Sequence, residues 1–216
     1  MTGIKMWRTG LASGLALLLA ACGGSVSEGV METYSGYAAA VSSGRGYDAT
    51  EYVSEATIDR FETLRQIALY GPEGQPSLGI HDEIAVYYLR SEFDASHLQR
   101  LTGRDIMNIL VSADLIGENG FRNIQAGEVV EAGSGRASLP LRDTRSGANY
   151  SLDFVRENGE WLADPRGFRN QRDQRLEGRI REFNGNRSEV INELLIVHGA
   201  SDGLTAELSN PLLRQN

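Results

Sequence analysis

Apolar residues recur at helical spacing through the first half of this chain and alternate one-in-two after Gly120, so helices should come first and a sheet after them. Val30, Tyr34, Tyr37, Ala38 and Val41 share one face of a helix over 30–41, which "SSGRG" ends. Asp48, with Glu51 three positions on, makes a capping-box-like start, and Tyr47 and Tyr52 stand where a hydrophobic staple would. From there a helical region extends to about Leu69 with Ile58, Phe61, Leu64 and Ala68 inward, until the prolines and glycines of "YGPEGQPSLG" stop it. "IHDEIAVYYLRSEF" has both helical and strand character, because Ile84 to Leu89 is nearly all apolar and carries β-favouring tyrosines and valine; helix is the favoured reading. Asp94 starts a short helical turn through Leu101. Thr102 with Asp105 opens another helix, with Ile106, Ile109, Leu110 and Ala113 inward, closed by Gly117.

In the second half, "FRNIQAGEVVEAGSGRASLPLRD" reads as two strands joined around Gly133-Ser134-Gly135. Ala137, Leu139 and Leu141 face one way and Arg136, Ser138 and Arg142 the other. "ANYSLDFVRENGEWLAD" reads as a hairpin, since Asn158-Gly159 is a favoured pair for a two-residue turn. That turn sets Phe154 opposite Ala163 and Arg156 opposite Trp161, and gathers Tyr150, Leu152, Phe154 and Trp161 on one face. Beyond Pro165, Arg166, Arg169, Arg172, Arg175, Arg179 and Arg181 recur at helical spacing with Asp173, Glu177 and Glu182 among them. A last apolar helix runs from a Ser188 cap through Ile191, Leu194, Leu195 and His198 to Gly199.

The most apolar run of all, Leu11 to Ala21, belongs to neither half. Its eleven residues reach roughly 16 Å as a helix, about half of the ~30 Å that a spanning helix must cover. A positive start (Lys5, Arg8), a short Leu/Ala core and small residues before a cut are the pattern of an export signal, removed from the mature chain. Leu19-Ala20-Ala21-Cys22 then resembles the lipobox of bacterial lipoproteins, in which an aliphatic and two small residues precede an obligatory cysteine. The resemblance implies a diacylglyceryl thioether on Cys22, cleavage between Ala21 and Cys22, and further acylation, as by palmitate, of the new amino terminus. The competing reading is an ordinary secreted protein with a chance cysteine, but an unpaired thiol in an oxidising compartment is a liability that acylation removes. Two or three acyl chains anchor stably where one binds only marginally, so the mature protein would be tethered to the bilayer without spanning it. Gly23 follows the cysteine where an aspartate would retain the protein in the inner membrane of many two-membrane bacteria. The resemblance therefore implies a cell-envelope protein on the periplasmic leaflet of the outer membrane.

Losing residues 1–21 removes Lys5 and Arg8 and takes the formal charge from −8 to −10 over the remaining 195 residues. A chain this acidic has no overall field to attract nucleic acid or an anionic membrane. Its length suits one domain with a sizeable core. Cys22 is the sole cysteine, so packing and not a disulfide must hold the fold. No lysine follows Lys5, which reads as coding bias. Residues 22–29, including "GGSVSEG", form a flexible tether with a reach of about 15 Å, and structure should begin near Val30.

Helices followed by a meander that ends in a hydrophobic strand, an Asn-Gly turn and the short "EWLAD" strand resemble the cone-shaped, cystatin-like fold of the nuclear transport factor-like superfamily. The likeness covers about residues 30–165 and lies in architecture and in the texture "FVRENGEW", with no invariant functional motif. It implies an α+β fold: N-terminal helices packed on a curved antiparallel sheet, with residues 166–216 a C-terminal helical extension that the cone does not need. Enzymes of that superfamily place an Asp, His or Tyr inside the cone to move a proton near a carbonyl. By residue type the candidates are His81, Asp82, Tyr87 and Tyr88 as pocket residues, with His97 and Asp153 behind them. Structural roles compete with each: His81 and Asp82 lie at a helix start, His97 follows the cap Asp94, and Asp153 alternates with the apolar face and so points to solvent. No residue is singled out as catalytic. His81, His97 and His198 show no ligand spacing, and neither a phosphate loop nor a dinucleotide fingerprint occurs, so no metal or other cofactor is expected.

Arg172, Arg175 and Arg179 are candidates for contact with an anionic partner: lipid phosphate, a cell-wall or lipopolysaccharide anion, or an acidic protein. The interleaved acids favour a solvated face with local pairs such as Glu177–Arg181. Two functions of different class follow. One is a non-catalytic envelope lipoprotein whose domain binds a small apolar ligand or another protein; the other is a membrane-tethered enzyme of isomerase or hydratase type that uses the cone pocket. An ionisable side chain deep in an apolar cavity would favour the enzyme, and a cavity filled by its own side chains the interaction module. The tail is expected to cover the open side of the cone, with Ile191 to Val197 against the sheet and the arginines outward.

Overall fold

The structure, a computed structural model, describes residues 25–71, 78–116, 121–182, 185–200 and 202–213. The export signal and the lipobox, Ala21 and Cys22 included, lie outside them, as do Gly117 and the prolines after Tyr70. Helix α1 (Val26–Ser42) starts four residues before the expected Val30, because the Ser25 side chain accepts the Glu28 N–H and so caps it. Residues 26–29 of the expected tether are therefore helical, and Gly29 lies flat on Trp161, whose Cδ1 would stand 2.7 Å from an added Cβ.

The single helical region expected from Asp48 to Leu69 is two helices, α2 (Gly46–Thr50) and α3 (Glu55–Tyr70). Sheet pairing breaks it. The Ser54 N–H donates to the Ala163 carbonyl at 2.9 Å and the Ala163 N–H to the Tyr52 carbonyl at 2.8 Å, so the chain must extend around Val53. Ser54 then caps α3 by accepting the Thr57 N–H, whereas Asp48 sits inside α2 and pairs with Arg45. Ile58, Phe61, Leu64 and Ala68 are buried as their spacing predicts. Helix α4 (Ile80–Glu92) resolves the mixed segment as helix. Asp94 caps the short α5 (Ala95–Leu98), and Thr102 and Asp105 form a full capping box on α6 (Gly103–Ser112). On α6, Ile106, Met107, Leu110 and Val111 are buried, while Ile109 and Ala113 sit at the margin.

The sheet is antiparallel and curls into a half-barrel. The first of the two strands expected before Asp143 is split into β1 (Ile124–Ala126) and β2 (Val130–Gly133), which share one edge of β3 (Arg136–Asp143). β4 (Asn149–Glu157) pairs with β3 and with β5 (Glu160–Asp164). In the β4–β5 hairpin Phe154 faces Ala163 and Arg156 faces Trp161, the register its turn predicts, with Asn158 at φ 52° and Gly159 at φ 92°. Ala137, Leu139, Leu141, Leu152, Phe154 and Ala163 point into the core. Burying each of the larger of these side chains contributes about 1.5–3 kcal/mol.

The tail departs from expectation. Helix α7 (Arg166–Glu182), not the last helix, lies on β4, with Phe168 in the main core and Gln171 bonded through both amide atoms to the Ser151 backbone. Helix α8 (Arg187–Val197), capped by Asn186 and not by Ser188, packs on α4: Ile191 and Leu195 join Ile80, Ile84 and Ile180 in a second apolar cluster. Its neighbours Ile196 and Val197 stay exposed. Finally, the chain returns to the end of α3. Leu212 and Leu213 donate to the carbonyls of Ala68 and Leu69, and the buried Arg90 guanidinium donates to those of Ile67, Ala68 and Leu208. Carbonyls that a helix end leaves unpaired are thus satisfied from elsewhere in the fold.

Candidate functional site

Where α1, α4 and α7 converge, the interior narrows to a cavity of about 20 Å³ walled by Tyr37, His81, Phe121, Phe168, Arg169 and Arg172. That is room for about one water molecule. Rings fill the rest: Phe121 meets Tyr37 edge-on at 5.5 Å and stacks with Phe168 at 5.6 Å, and Phe168 meets Tyr150 edge-on at 5.4 Å. Burial raises the Tyr37 phenol to about 12, against the opposing pull of Arg169 and Arg172.

A network of charges that joins α3, α4 and α7 flanks this cavity. Asp82, on the first turn of α4, receives Arg60 of α3 through Nε at 3.1 Å and through Nη2. Arg169 brings its Nη2 to 3.0 Å from the other Asp82 oxygen, out of line for a hydrogen bond. Asp173 accepts the backbone N–H of His81 at 3.0 Å and also meets its ring Nδ1. Burial would raise the Asp173 carboxyl, but the hydrogen bonds and charge of His81 and the charge of Arg169 outweigh it and hold the carboxyl below its ordinary value. Gly79 makes the approach possible: a Cβ there would stand 2.0 Å from Asp173 Oδ2.

Of the residues singled out by type, His81 lines the cavity and Asp82 anchors the network beside it. Neither Tyr87 nor Tyr88 lines the cavity: both pack on the second cluster, Tyr88 on the main core as well, and the Tyr87 hydroxyl donates to Glu83 at 2.8 Å. His97 is exposed against the Phe93 ring, and Asp153 is exposed on the outer face of β4. The arginine helix does not present one solvated face as expected. Arg169 and Arg172 turn inward, Arg175 and Arg179 outward, and Glu177 pairs with Arg187 in place of Arg181. Sequence reasoning passed over Arg60, Tyr37, Arg169 and Asp173. Phe168, the first large apolar residue of that helix, marks its inward face, and Arg169, Arg172 and Asp173 lie within about one and a half turns of it.

On the outer face of the half-barrel, Asp153 and Asp164 are cross-strand partners lining a cleft of about 520 Å³ with Arg136 and Arg166. Local burial and the Asp164 charge push the Asp153 carboxyl up. Burial also works on Asp164, but hydrogen bonds from Arg166 overcome it and hold that carboxyl low. Among the described residues no three His, Cys, Asp or Glu side chains come together to hold a metal ion, and no helix is long and apolar enough to cross a membrane.

Protein-family models, curated proteins and solved structures give no match to this chain. What the site can do must be read from its own geometry. Three guanidiniums, two carboxylates and an imidazole in and beside a cavity this small lock helices together and leave no room for a substrate carbon skeleton.

Proposed function

We propose that this protein is a non-catalytic lipoprotein of the cell envelope, tethered through lipidated Cys22, whose folded domain binds another envelope protein. The observation that carries the reading is the narrowness of the interior. At about 20 Å³, it is far below the roughly 300–1,000 Å³ of a small-molecule site, which weighs against an apolar ligand as well as against a cone-pocket isomerase or hydratase. The work then falls to the surface. Clefts adjoin along the outer side of α7: the one at Asp153 shares Asp164 and Arg166 with a cleft at Arg60 and Asp82, which shares Gly79 and Asn170 with one at Glu177 and Arg181. Such mixed charge suits a polar protein partner and not a uniformly anionic one. The tether places this surface at the membrane, on the periplasmic leaflet of the outer membrane if the host has two.

The test has two arms. Cys22→Ser should abolish incorporation of labelled palmitate and release the protein from membranes; retention of both label and membrane partition would overturn the anchor. Asn170→Trp, which fills the shared cleft, should lose the crosslinked partners that the unaltered chain captures in intact envelopes; the same partners in the same yield would overturn the docking surface.

One observation favours a second reading. Carboxyls pushed apart in proton affinity, as Asp153 and Asp164 are, are what acid–base chemistry uses. A tethered enzyme would then work in the outer cleft and not inside the cone. Loss of a proton-transfer or hydrolytic activity in Asp153→Asn, with unchanged melting, would select it.

A further inference from the structure

The charges around the central cavity do not balance. Arg60 and Arg169 share the single carboxylate of Asp82, and Asp173 is turned to His81, so no carboxylate pairs with Arg172 among the described residues. Nη1 and Nη2 of Arg169 are buried without a hydrogen-bond partner, although the side chain as a whole is 16% exposed. Arg172, three residues along the same helix, lies partly buried with its guanidinium 5.8 Å above the Phe168 ring. Two cations thus meet at one small cavity that no carboxylate lines. Burial, and then the Arg169 charge, lower the proton affinity of Arg172, the electrostatic sign of the same crowding.

We propose that this cavity is a binding site for a small monovalent anion of chloride size, held between Arg169 and Arg172. Its charge follows from two guanidiniums lining a cavity without a carboxylate, and its size from a volume of about 20 Å³, which admits about one water-sized particle and excludes sulfate or phosphate. The anion would accept from the buried Arg169 donors that lack a partner and from the Arg172 guanidinium, and lie near the aromatic rings of Phe121, Phe168 and Tyr37, whose positive edges also favour negative charge. Because Arg169 and Arg172 belong to α7 while Tyr37 and His81 belong to α1 and α4, the ion stabilises the docking of the C-terminal extension on the cone. This goes beyond the anchoring and partner-binding reading and does not depend on it.

The test uses the full chain in a non-ionic detergent, melted at fixed ionic strength while gluconate is replaced by chloride, with formate and phosphate as comparison anions. Chloride should raise Tm saturably, by roughly 5 °C for a site well occupied in a domain of this size; formate should do so less and phosphate not at all. Arg172→Met removes one of the two cations. It should melt at or above the unaltered chain in gluconate and should lose the chloride response. Equal melting in chloride and gluconate, or the same anion response in both proteins, overturns the site. If Arg172→Met does not fold, protein-dependent broadening of the chloride-35 resonance in the unaltered chain decides: saturable broadening supports the site and its absence overturns it.

Discussion

Asp82 is the residue on which the docking of α7 turns, because its side chain, 10% exposed, is the shared partner of two guanidiniums. Removing one partner of a buried ion pair costs more than the pair contributed, since the remaining charges stay desolvated. Asp82→Asn should therefore destabilise by about 3 kcal/mol in urea unfolding, whereas Arg175→Gln, on the exposed face of the same helix, should stay within about 0.5 kcal/mol. Equal effects would mean that the network does not hold the helix. Asp173 adds a pH dependence whose sign is fixed by its lowered carboxyl. A folded value below the unfolded one, about 3.9, gives a contribution that is present above that unfolded value and is lost as the pH falls through the folded one. Asp173→Asn should thus be less stable than the unaltered chain near neutrality, and the gap should close on acidification below about pH 4. Denaturant midpoints measured from pH 7 to pH 3 check it; a constant gap would remove Asp173 from the account.

At the scale of elements, the turn and the helix interior give opposite expectations for glycine. Asn158 and Gly159 both have positive φ, so Gly159→Val forces a β-branched side chain into a left-handed conformation and should cost about 1 kcal/mol or more, although nothing crowds the added Cβ. Gly178 sits inside α7 without such a φ, and a Cβ there meets nothing within 4 Å. Gly178→Ala should accordingly stabilise by about 0.5–1 kcal/mol. Thermal melts of the two variants should move in opposite directions. These local signals were legible in the sequence because turn chemistry and caps act over a few residues: the hairpin register, the Thr102–Asp105 box and the inward set of α3 follow from spacing alone. What spacing could not show is non-local. Nothing within 46–70 announces that Ala163 will pair with Tyr52 and Ser54 and break the helix there. Likewise, nothing in 187–197 says that β4 is already covered by Phe168 and Gln171, leaving α4 as the surface for Ile191 and Leu195. The site was half legible for the same reason. His81 and Asp82 stood out by type, but their partners lie more than twenty residues away on other helices.

For the whole molecule, the C-terminal extension is part of one folded unit and not an appended arm. It contributes Phe168 to the main core, most of the second cluster, the Arg169–Asp82 and Asp173–His81 contacts, and the caps on the end of α3. These contributions separate along the chain, so graded truncation separates their effects. A chain ending at Ala200 keeps α7 and α8 and loses the donors of Leu212 and Leu213 and the Leu208 carbonyl that Arg90 uses. It should melt cooperatively but lower, at a cost of about 1–3 kcal/mol for polar groups left without partners. A chain ending at Asp164 uncovers the β4 side of the core together with Ile80 and Ile84, at about 25 cal/mol for each Å² returned to water, and leaves Asp82 and Arg60 without Arg169. It should lose its cooperative transition and bind a hydrophobic dye while retaining helical circular dichroism from the surviving elements. Melting followed by circular dichroism in non-ionic detergent measures both truncations. If the chain ending at Asp164 melts cooperatively at the unaltered temperature, residues 166–216 are an independent arm, and Arg175 and Arg179 on its outer face become the positions at which partner contact should be sought.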